Sequence, residues 1–268
     1  MMSDLALIIF IKVPIPGLVK TRLSQTTCLT DTDVSLLAEA MFKDTLIVAS
    51  KSNADVIEIG FFPKNEFSTI KKIVDLVRTN ENLVKPINYS VQTGINFDEK
   101  FSSIVSNSFE RKNEILVILG ADLPYLDVST INTAFNYLDV NQNKKRVVLG
   151  PAGGGGIYLV GITKEFLPKW FVEYELFRGG VEISQFVKLC EKENFELDML
   201  HPLIDVDIEE DLVSLLAFIE TKDVANNYSG FYFPKYTAQV VKALGLYIKN
   251  IPGETRKRKI GKGKENLF

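Results

Sequence analysis

Three cationic side chains lie close together in the sequence, directly after its first apolar run. The segment that follows Leu5–Ile11 reads KVPIPGLVKTRL and includes Lys12, Lys20 and Arg22. Its prolines and Gly17 force a turn after a buried strand, so the cations and exposed backbone N–H groups stay near the strand's end. Such a set suits a diphosphate or triphosphate, which carries several negative charges. The alternative is a solvated basic loop without a ligand.

A carboxylate follows the clearest of the later strands, Glu114–Leu119. The chain continues with Gly120, which permits close approach of the backbone, and reaches Pro124, which fixes the next turn. A metal ion bound to phosphates would need an oxygen ligand at this place, and Asp122 supplies one. The alternative is that Asp122 caps the helix beginning near Val128, although it lies well before that helix.

Four consecutive glycines, Gly153, Gly154, Gly155 and Gly156, follow another strand. Such a run indicates either that something passes close to the backbone or that the loop is mobile, so a flexible hairpin is the alternative to a ligand site. A dinucleotide-binding fold would need Gly-x-Gly-x-x-Gly followed by a helix, whereas an apolar strand follows here. The Gly-Lys-Ser/Thr spacing of a Walker motif does not occur in the chain either.

The last candidate segment is acidic and reads DVDIEEDL, from Asp205 to Leu212. Asp207 suits the N-cap of a helix, and Glu210, three residues later, completes a capping box. Acidic residues are ordinary in a first helical turn. By itself the segment therefore predicts a helix start rather than a metal site. Asp205, which precedes the cap, is the residue least explained by capping.

Apolar runs of strand length alternate along the chain with segments of helical period. The strands and helices that they predict must position the four candidate segments described above. The strands are predicted at Leu5–Ile11, Val56–Phe62, Asn88–Gln92, Glu114–Leu119, Val147–Leu149 and Ile157–Ile162. The helices are predicted at Asp31–Ala49, with Asp31 as cap, and at Phe67–Val77, Phe97–Phe109 and Val128–Leu138. The order favours a three-layer α/β fold with a mostly parallel sheet. In such folds ligands bind beyond the carboxyl ends of the strands, which are followed by the candidate loops.

The composition limits which residues can carry out catalysis and indicates the cellular compartment of the protein. The 268 residues are 46% hydrophobic and 24% charged, with a net charge of −3, so no overall field attracts nucleic acid or anionic lipid. His201 is the only histidine, which leaves acid–base work to carboxylates, lysines or a metal. Cys28 and Cys190 have no metal-ligand spacing and predict free thiols in a reducing compartment. The first apolar run is too short to span a bilayer, so we expect a cytoplasmic protein without membrane association.

From about residue 221 the pattern changes, which divides the chain into a domain at 1–221 and an extension at 222–268. The extension begins with a linker-like stretch and continues with a predicted helix at Lys235–Asn250. Six basic residues follow, and this end is predicted to be disordered: Arg256, Lys257, Arg258, Lys259, Lys262 and Lys264. The helix could pack on the core or on another subunit, so a homo-oligomer is left open.

Together the four segments resemble the nucleotide-diphospho-sugar transferase (GT-A-like) superfamily, and within it the transferase family associated with radical-SAM and selenoprotein-domain gene clusters. The opening pattern Lys-x-Pro-x-Pro-Gly-x-x-Lys-Thr-Arg-Leu is met in full by Lys12 to Leu23. The other matches are Gly120, Asp122 and Pro124; Gly150, Pro151, Ala152, Gly155, Gly156, Tyr158, Leu159 and Gly161; and Asp205, Asp207, Glu210, Asp211 and Leu212. The resemblance covers roughly residues 5 to 220.

Some positions depart from that family. Gly154 stands where the family has Asp, Ile157 stands where it has Tyr, and a Trp-x-Thr segment near residue 176 is absent. Residues 171–184 and 195–212 are instead similar to archaeal 2-phospholactate guanylyltransferases, which share the string from Lys20 to Ser24.

The resemblance implies a GT-A-like fold with a C-terminal helical extension, and it implies roles for the segments. The phosphate-binding residues would be Lys12, Gly17, Lys20, Thr21 and Arg22. Asp122, with Asp205 or Asp207, would hold Mg²⁺ or Mn²⁺. Gly120, Pro124 and the loop Gly153–Gly156 would line the base or acceptor site.

The expected activity is metal-dependent nucleotidyl transfer, in which a nucleoside triphosphate donates its nucleoside monophosphate to a small phosphorylated or hydroxyl acceptor. Lys20 and Asp122 would be catalytic, because such transfer depends on positioning and charge neutralisation. Two alternatives stay open: glycosyl transfer from a nucleotide sugar, and nucleotide binding without turnover, the latter because of Gly154. A nucleic-acid partner is not expected.

Overall fold

A seven-stranded sheet forms the centre of the protein. The computed structural model describes residues 5–139, 145–255 and 257–263. The strands are β1 (Leu5–Lys12), β2 (Val56–Phe62), β3 (Ile87–Val91), β4 (Ile115–Gly120), β5 (Arg146–Pro151), β6 (Ile157–Thr163) and β7 (Glu196–Met199). Their order is β3-β2-β1-β4-β6-β5-β7, and β6 runs antiparallel to both of its neighbours whereas the other pairs are parallel. The mostly parallel sheet predicted from the sequence is confirmed.

Helices cover both faces of the sheet, which confirms the three layers. They are α1 (Thr21–Thr26), α2 (Asp31–Ser50), α3 (Phe67–Asn80), α4 (Phe97–Glu110), α5 (Val128–Asp139), α6 (Trp170–Glu173), α7 (Glu182–Glu193), α8 (Glu209–Glu220) and α9 (Lys235–Leu244). Within the described ranges, none of them combines the length and the apolarity that crossing a membrane requires.

Two apolar cores lie on the opposite faces of β1, because this strand is buried on both sides. Leu7 and Ile9 belong to a core with α2, α3 and α5, while Ala6 and Ile8 belong to a core with α4, α6 and α7. A continuous apolar run is what a central strand of a parallel sheet requires. The sequence pattern of β1 therefore reflects its place in the middle of the sheet.

A third core joins the first loop to the C-terminal extension. It contains Leu23 of α1, Leu37 of α2 and Leu212 of α8, together with residues of α9 and of a hairpin formed by β8 (Leu246–Asn250) and β9 (Arg258–Lys262). The hairpin is also tied by polar contacts, since the Ile260 N–H donates to Glu209 Oε1 at 2.8 Å. The extension thus packs against the elements that follow the cationic loop.

The hairpin corrects two predictions about the C-terminal end. The helix predicted at Lys235–Asn250 ends at Leu244, because Gly245 takes the left-handed conformation (φ 61°) that terminates helices. The prediction of a disordered basic tail is wrong for Arg258–Lys262, which pairs with β8 and buries Ile260 to 5% exposure. Arg256 and Lys264 lie outside the described residues.

A buried carboxylate attaches α9 to the domain. Asp44 of α2 is fully buried and accepts hydrogen bonds from the N–H groups of Tyr236 and Thr237, at 3.1 and 2.8 Å, and from the Thr237 hydroxyl at 2.8 Å. It therefore caps α9 from another helix. Burial raises the pKa of Asp44 to about 6, against the opposing effect of these hydrogen bonds.

The start of α2 also differs from the prediction. Thr30, rather than Asp31, is the N-cap: its side-chain oxygen accepts from the Asp33 N–H at 3.2 Å, and Asp33 accepts from the Thr30 N–H at 2.8 Å. Both thiols are free, as predicted, with Cys28 exposed and Cys190 buried.

Candidate active site at the carboxyl edge of the sheet

A cleft of about 760 Å³ opens where β1 and β4 end and where the antiparallel β6 begins. Its volume lies in the range of small-molecule sites, roughly 300–1,000 Å³. Nine of the predicted site residues line it: Lys12, Lys20, Thr21, Arg22, Gly120, Asp122, Gly156, Asp205 and Asp207. Gly17, Pro124, Gly153, Gly154 and Gly155 are not among the lining residues. The sheet therefore brings all four segments to one edge, but not every residue of each segment.

Lys20 is the most enclosed cation of the site. Its side chain is 5% exposed, and its Nζ lies 2.9 Å from Asp122 Oδ1 and 3.7 Å from Asp207 Oδ1. The backbone at Lys20 is left-handed (φ 49°, ψ 34°) just before α1 begins. Such a conformation costs a non-glycine residue on the order of 1–3 kcal/mol and persists where surrounding structure enforces it, often at functional sites.

The other two cations of the first loop are open to solvent. Arg22, in the first turn of α1, is 70% exposed, and its Nη1 contacts Asp207 Oδ2. Lys12, the last residue of β1, is exposed at the edge of the cleft. The loop thus holds one buried and two accessible positive charges, which a phosphate chain could reach.

The acidic segment is joined to the loop after β4 by hydrogen bonds. The Val206 N–H donates to the Asp122 carbonyl at 3.0 Å, and the Ile204 N–H donates to the Tyr125 hydroxyl at 3.1 Å. The same hydroxyl donates to the Ile204 carbonyl. These contacts hold the acidic segment beside the loop after β4, where the Asp122 and Asp207 carboxylates both lie within 4 Å of Lys20 Nζ.

Helix capping explains neither Asp122 nor Asp207. The predicted capping box of α8 is wrong, because Asp211 Oδ2 accepts from the Asp207 and Ile208 N–H groups at 3.0 and 2.9 Å. The Asp207 carboxylate is therefore turned to Lys20 and Arg22 instead of to the helix. Likewise, Asp127 caps α5 through the Ser129 N–H at 2.8 Å, which leaves Asp122 to its ion pair with Lys20.

Asp205 is partly buried, as are Asp122 and Asp207. Burial raises its pKa, the negative charges of Asp122 and Asp207 raise it further, and the Lys20 ammonium opposes them. A bound cation would relieve both the repulsion and the desolvation. Asp205, the residue that capping did not explain in the sequence, is thus electrostatically part of the site.

Carboxylate oxygens are the donors that a hard divalent cation prefers. Within the described ranges, no group of three or more His, Cys, Asp or Glu side chains is arranged to hold a metal ion. Asp122 and Asp207 instead share the Lys20 ammonium. Mg²⁺ is commonly held by one or two carboxylates with substrate phosphates and water. Asp122 with Asp205 or Asp207 fits that requirement.

The glycine loop lies at the rim of the cleft. Gly153–Gly155 forms a short 3₁₀ turn in which Gly154 and Gly155 are left-handed, with φ of 66° and 85°. A Cβ at Gly155 would lie 3.1 Å from the Gly180 carbonyl oxygen, whereas a Cβ at Gly154 would have nothing within 4 Å. Close backbone approach thus requires glycine at position 155, and position 154 has room for a side chain.

Sequence reasoning missed the aromatic side of the cleft. Phe10 of β1, Phe97 and Phe101 of α4, and Phe177 line it together with Glu182 at the start of α7. The spacing of Phe97 and Phe101 is that of an ordinary helix face packed on a core. The one sequence feature that could have indicated a role in the cleft is the position of Phe97 and Phe101, because α4 begins at the same edge of the sheet as the cationic loop.

The fold of the chain is GT-A-like, and several solved structures share it. A protein from Desulfovibrio desulfuricans G20, described as a proposed nucleotide-diphospho-sugar transferase, superposes with a TM-score of 0.68 and 24% identity, covering 90% of this chain and 95% of that one.

Two further solved structures share the fold at 13% identity each. The 4-diphosphocytidyl-2C-methyl-D-erythritol synthase of Anaerococcus prevotii DSM 20548 gives a TM-score of 0.54 and covers 81% of this chain and 96% of that one. A cytidylyltransferase from Leptospira borgpetersenii serovar Hardjo-bovis (strain JB197) gives 0.52 and covers 90% and 94%.

A protein-family model described as an uncharacterized protein conserved in bacteria (DUF2064) matches residues 70–180, a stretch that includes Asp122 and the glycine loop but not the cationic loop. No curated protein matches the chain.

Proposed function

We propose that the protein is a nucleotide-dependent transferase, and specifically a nucleotidyltransferase that moves a nucleoside monophosphate from a nucleoside triphosphate to a small acceptor. One observation carries the proposal: Lys20 lies enclosed between Asp122 and Asp207 at the carboxyl edge of the sheet, with Arg22 beside them. Cations and carboxylates interleaved in this way match a ligand made of phosphates and a metal ion. The cytidylyltransferase of the same fold supports this choice of reaction.

In the proposed reaction an acceptor oxygen, from a hydroxyl or a phosphate, forms a bond to the α-phosphorus. The bond from the α-phosphorus to the bridging oxygen breaks, and pyrophosphate leaves with that electron pair. A hydroxyl acceptor loses its proton to solvent. Lys20, Arg22 and Lys12 would hold the β- and γ-phosphates and offset the charge that grows on them. Mg²⁺ or Mn²⁺ on Asp122 and on Asp205 or Asp207 would supply further charge neutralisation at the phosphates.

Binding is tested by thermal denaturation with ATP, GTP, CTP, UTP and nucleotide sugars, each with and without Mg²⁺ or Mn²⁺. A ligand at 100 times its Kd stabilises the folded state by about 2.7 kcal/mol. We expect a metal-dependent shift with one triphosphate, and we expect Lys20→Ala to abolish it. Lys71→Ala is the matched control, because Lys71 forms an exposed ion pair with Asp75 on α3, away from the cleft. No shift with any nucleotide would refute the proposal.

A second candidate is glycosyl transfer from a nucleotide sugar, which the likeness to the Desulfovibrio desulfuricans protein favours. The same cations and carboxylates would then hold a diphosphate. Product analysis separates the two reactions, since nucleotidyl transfer releases pyrophosphate and glycosyl transfer releases a nucleoside diphosphate.

The third alternative is nucleotide binding without turnover, and it was motivated by Gly154, which stands where the resembled family has Asp. A Cβ there meets nothing within 4 Å and the residue does not line the cleft. We therefore expect turnover in the natural sequence. Gly154→Asp separates the alternatives, because activity that appears only in this variant would favour a binding protein.

A further inference from the structure

One face of the C-terminal hairpin carries two lysines side by side. β8 and β9 pair so that Lys249 lies directly opposite Lys259, and Tyr247 lies opposite Gly261 with its ring against the glycine. Side chains alternate between the two faces of a strand, so these four residues share one face. The other face holds Ile260, which packs in the third core. We call Tyr247, Lys249 and Lys259 the lysine face.

The charges of the lysine face are not balanced within the protein. Lys249 and Lys259 are both exposed, and among the described residues neither forms an ion pair with a carboxylate. Lys262, on the opposite face of the same hairpin, does pair with Asp33, at 2.7 Å. Like charges directly opposite each other in an antiparallel pair repel, and nothing in the fold relieves this repulsion.

The lysine face belongs to a basic part of an acidic protein. Residues 235–268 contain nine Lys and Arg but two Asp and Glu, although the whole chain has a net charge of −3. The net charge therefore does not describe this part of the surface. A local excess of positive charge attracts negatively charged groups.

The hairpin also has one open edge. On the β9 side the backbone of Ile260 is engaged by the domain, since its N–H donates to Glu209 Oε1 at 2.8 Å and its carbonyl accepts from Cys28 Sγ at 3.3 Å. Ile248 lies opposite Ile260, so its N–H and carbonyl point to the outer edge of β8. No described residue forms a hydrogen bond with them there.

We propose that the open edge of β8 and the lysine face together bind an extended, acidic segment of a partner protein, which adds to the hairpin as a third strand. In strand addition the backbone hydrogen bonds provide affinity, and alternate side chains provide specificity. Acidic side chains at every second residue of the segment would lie on the same face as Lys249 and Lys259 and would offset their repulsion. This interaction is independent of the transfer reaction proposed for the cleft.

The chemistry of the edge favours this partner over others. Lysines on an edge strand discourage pairing with neutral or basic strands, and an acidic strand is the one that they attract. A second copy of the chain that paired through its own β8 would bring its lysines against Lys249 and Lys259. A nucleic acid could neutralise the lysines, but it lacks the alternating N–H and carbonyl groups that complete the ladder on β8.

The test uses capped, fluorescently labelled peptides of alternating Thr and Glu, in which Thr favours the extended conformation. The matched probes are a peptide with Gln in place of Glu and an oligothymidylate, and binding to the full chain is measured by fluorescence anisotropy. We expect the Glu peptide to bind about tenfold more tightly than the Gln peptide at low salt, and we expect high salt to reduce the difference.

The double variant Lys249→Gln/Lys259→Gln tests whether the lysine face causes this preference. It should bring the affinities for the Glu and Gln peptides within about threefold of each other. Lys71→Gln/Lys72→Gln is the matched control, because it removes two exposed lysines of α3. A melting curve shows that each variant is folded, and the ratio of two affinities on one folded protein does not depend on its stability.

N-methylated peptides test whether the segment adds as a strand. An added strand directs the N–H groups of every second residue to β8, so methylation of one alternate set should abolish binding, while methylation of the other should change the affinity by less than about threefold. Equal effects of the two sets would overturn strand addition.

Three further results would overturn the proposal. They are equal affinities of the wild-type protein for the Glu and Gln peptides, tighter binding of the oligothymidylate than of the Glu peptide, and self-association in sedimentation experiments that is lost in Lys249→Gln/Lys259→Gln. The last two would assign the lysine face to a nucleic acid or to a second copy of the chain.

Discussion

Replacing Lys20 by methionine should have opposite effects on metal and on phosphate binding. The substitution keeps most of the apolar stem, so the packing of a side chain that is 5% exposed is largely preserved, but it removes the ammonium that lies 2.9 Å from Asp122 and 3.7 Å from Asp207. A cation that approaches these carboxylates then no longer competes with Lys20. A triphosphate, by contrast, loses its most enclosed positive contact.

The magnitude follows from the geometry. Asp122 is 45% exposed, so a water-like dielectric is the conservative choice, and at 2.9 Å it gives an attraction of about 1.4 kcal/mol between the two charges. Removal of this competitor should raise the affinity for Mn²⁺ alone by about tenfold. Loss of the same group should lower the transfer rate by on the order of 10²-fold or more, as for comparable electrostatic groups.

Electron paramagnetic resonance reports free Mn²⁺ directly, and pyrophosphate or nucleoside diphosphate release reports transfer. Lys71→Met serves as the control, because it breaks an exposed ion pair with Asp75 that lies on α3. A Lys20→Met protein whose Mn²⁺ affinity and transfer rate both stay within twofold of wild type would show that Asp122 with Asp205 or Asp207 does not form the metal site.

Three further predictions concern other groups. Asp122→Asn should reduce the transfer rate by on the order of 10²-fold or more, which steady-state kinetics would measure. The melting temperature should change little, because the Asp122 side chain is about half exposed, and a thermal melting curve checks this. Asp44, with a pKa of about 6 against about 3.8 when unfolded, binds its proton more tightly in the folded state, so its contribution to stability should be lost as the pH rises from about 4 to about 6. Urea denaturation across this range should show that slope in the wild type and not in Asp44→Asn. Ile260→Ala should lower the free energy of unfolding by about 2–4 kcal/mol, because the side chain is 5% exposed in the third core. The same substitution should weaken the binding of magnesium pyrophosphate. An unchanged affinity would mean that the hairpin does not support the cationic loop.

The sequence was sufficient where a single local pattern decides the structure. Val56–Phe62 is mostly apolar, with Glu58 as its one charged residue, and the strand has those bounds. The placement of Lys20 and Asp122 at one edge followed from strand polarity, because the carboxyl ends of parallel strands share an edge. For Asp207 only the family resemblance indicated a place in the site.

Other features depend on contacts between distant residues, and a local pattern does not contain them. Arg258–Lys262 is basic and contains one buried apolar residue, Ile260. It forms a strand only because its backbone pairs with β8 and Ile260 packs in the third core. The cap of α8 is Asp211 rather than Glu210, which left Asp207 for the site. Glu182 resembled any acidic residue in a first helical turn.

Several expectations stay predictions. They are the domain boundary at residue 221, the cytoplasmic location, the absence of a nucleic-acid partner and the oligomeric state. The structure adds one relevant fact to the first of these, because Asp44 and the third core attach the extension to the preceding domain.

The third core also sets the order in which the protein can become functional during its synthesis. The cationic loop emerges from the ribosome early, and the two cores of the sheet can begin to form from residues that follow soon after it. The third core, which packs against Leu23, is complete only after Leu212 and then Ile260 have emerged from the ribosome. A nascent chain that has formed its sheet therefore still lacks part of the support for its cationic loop, and the ligand binding proposed for this loop should mature last.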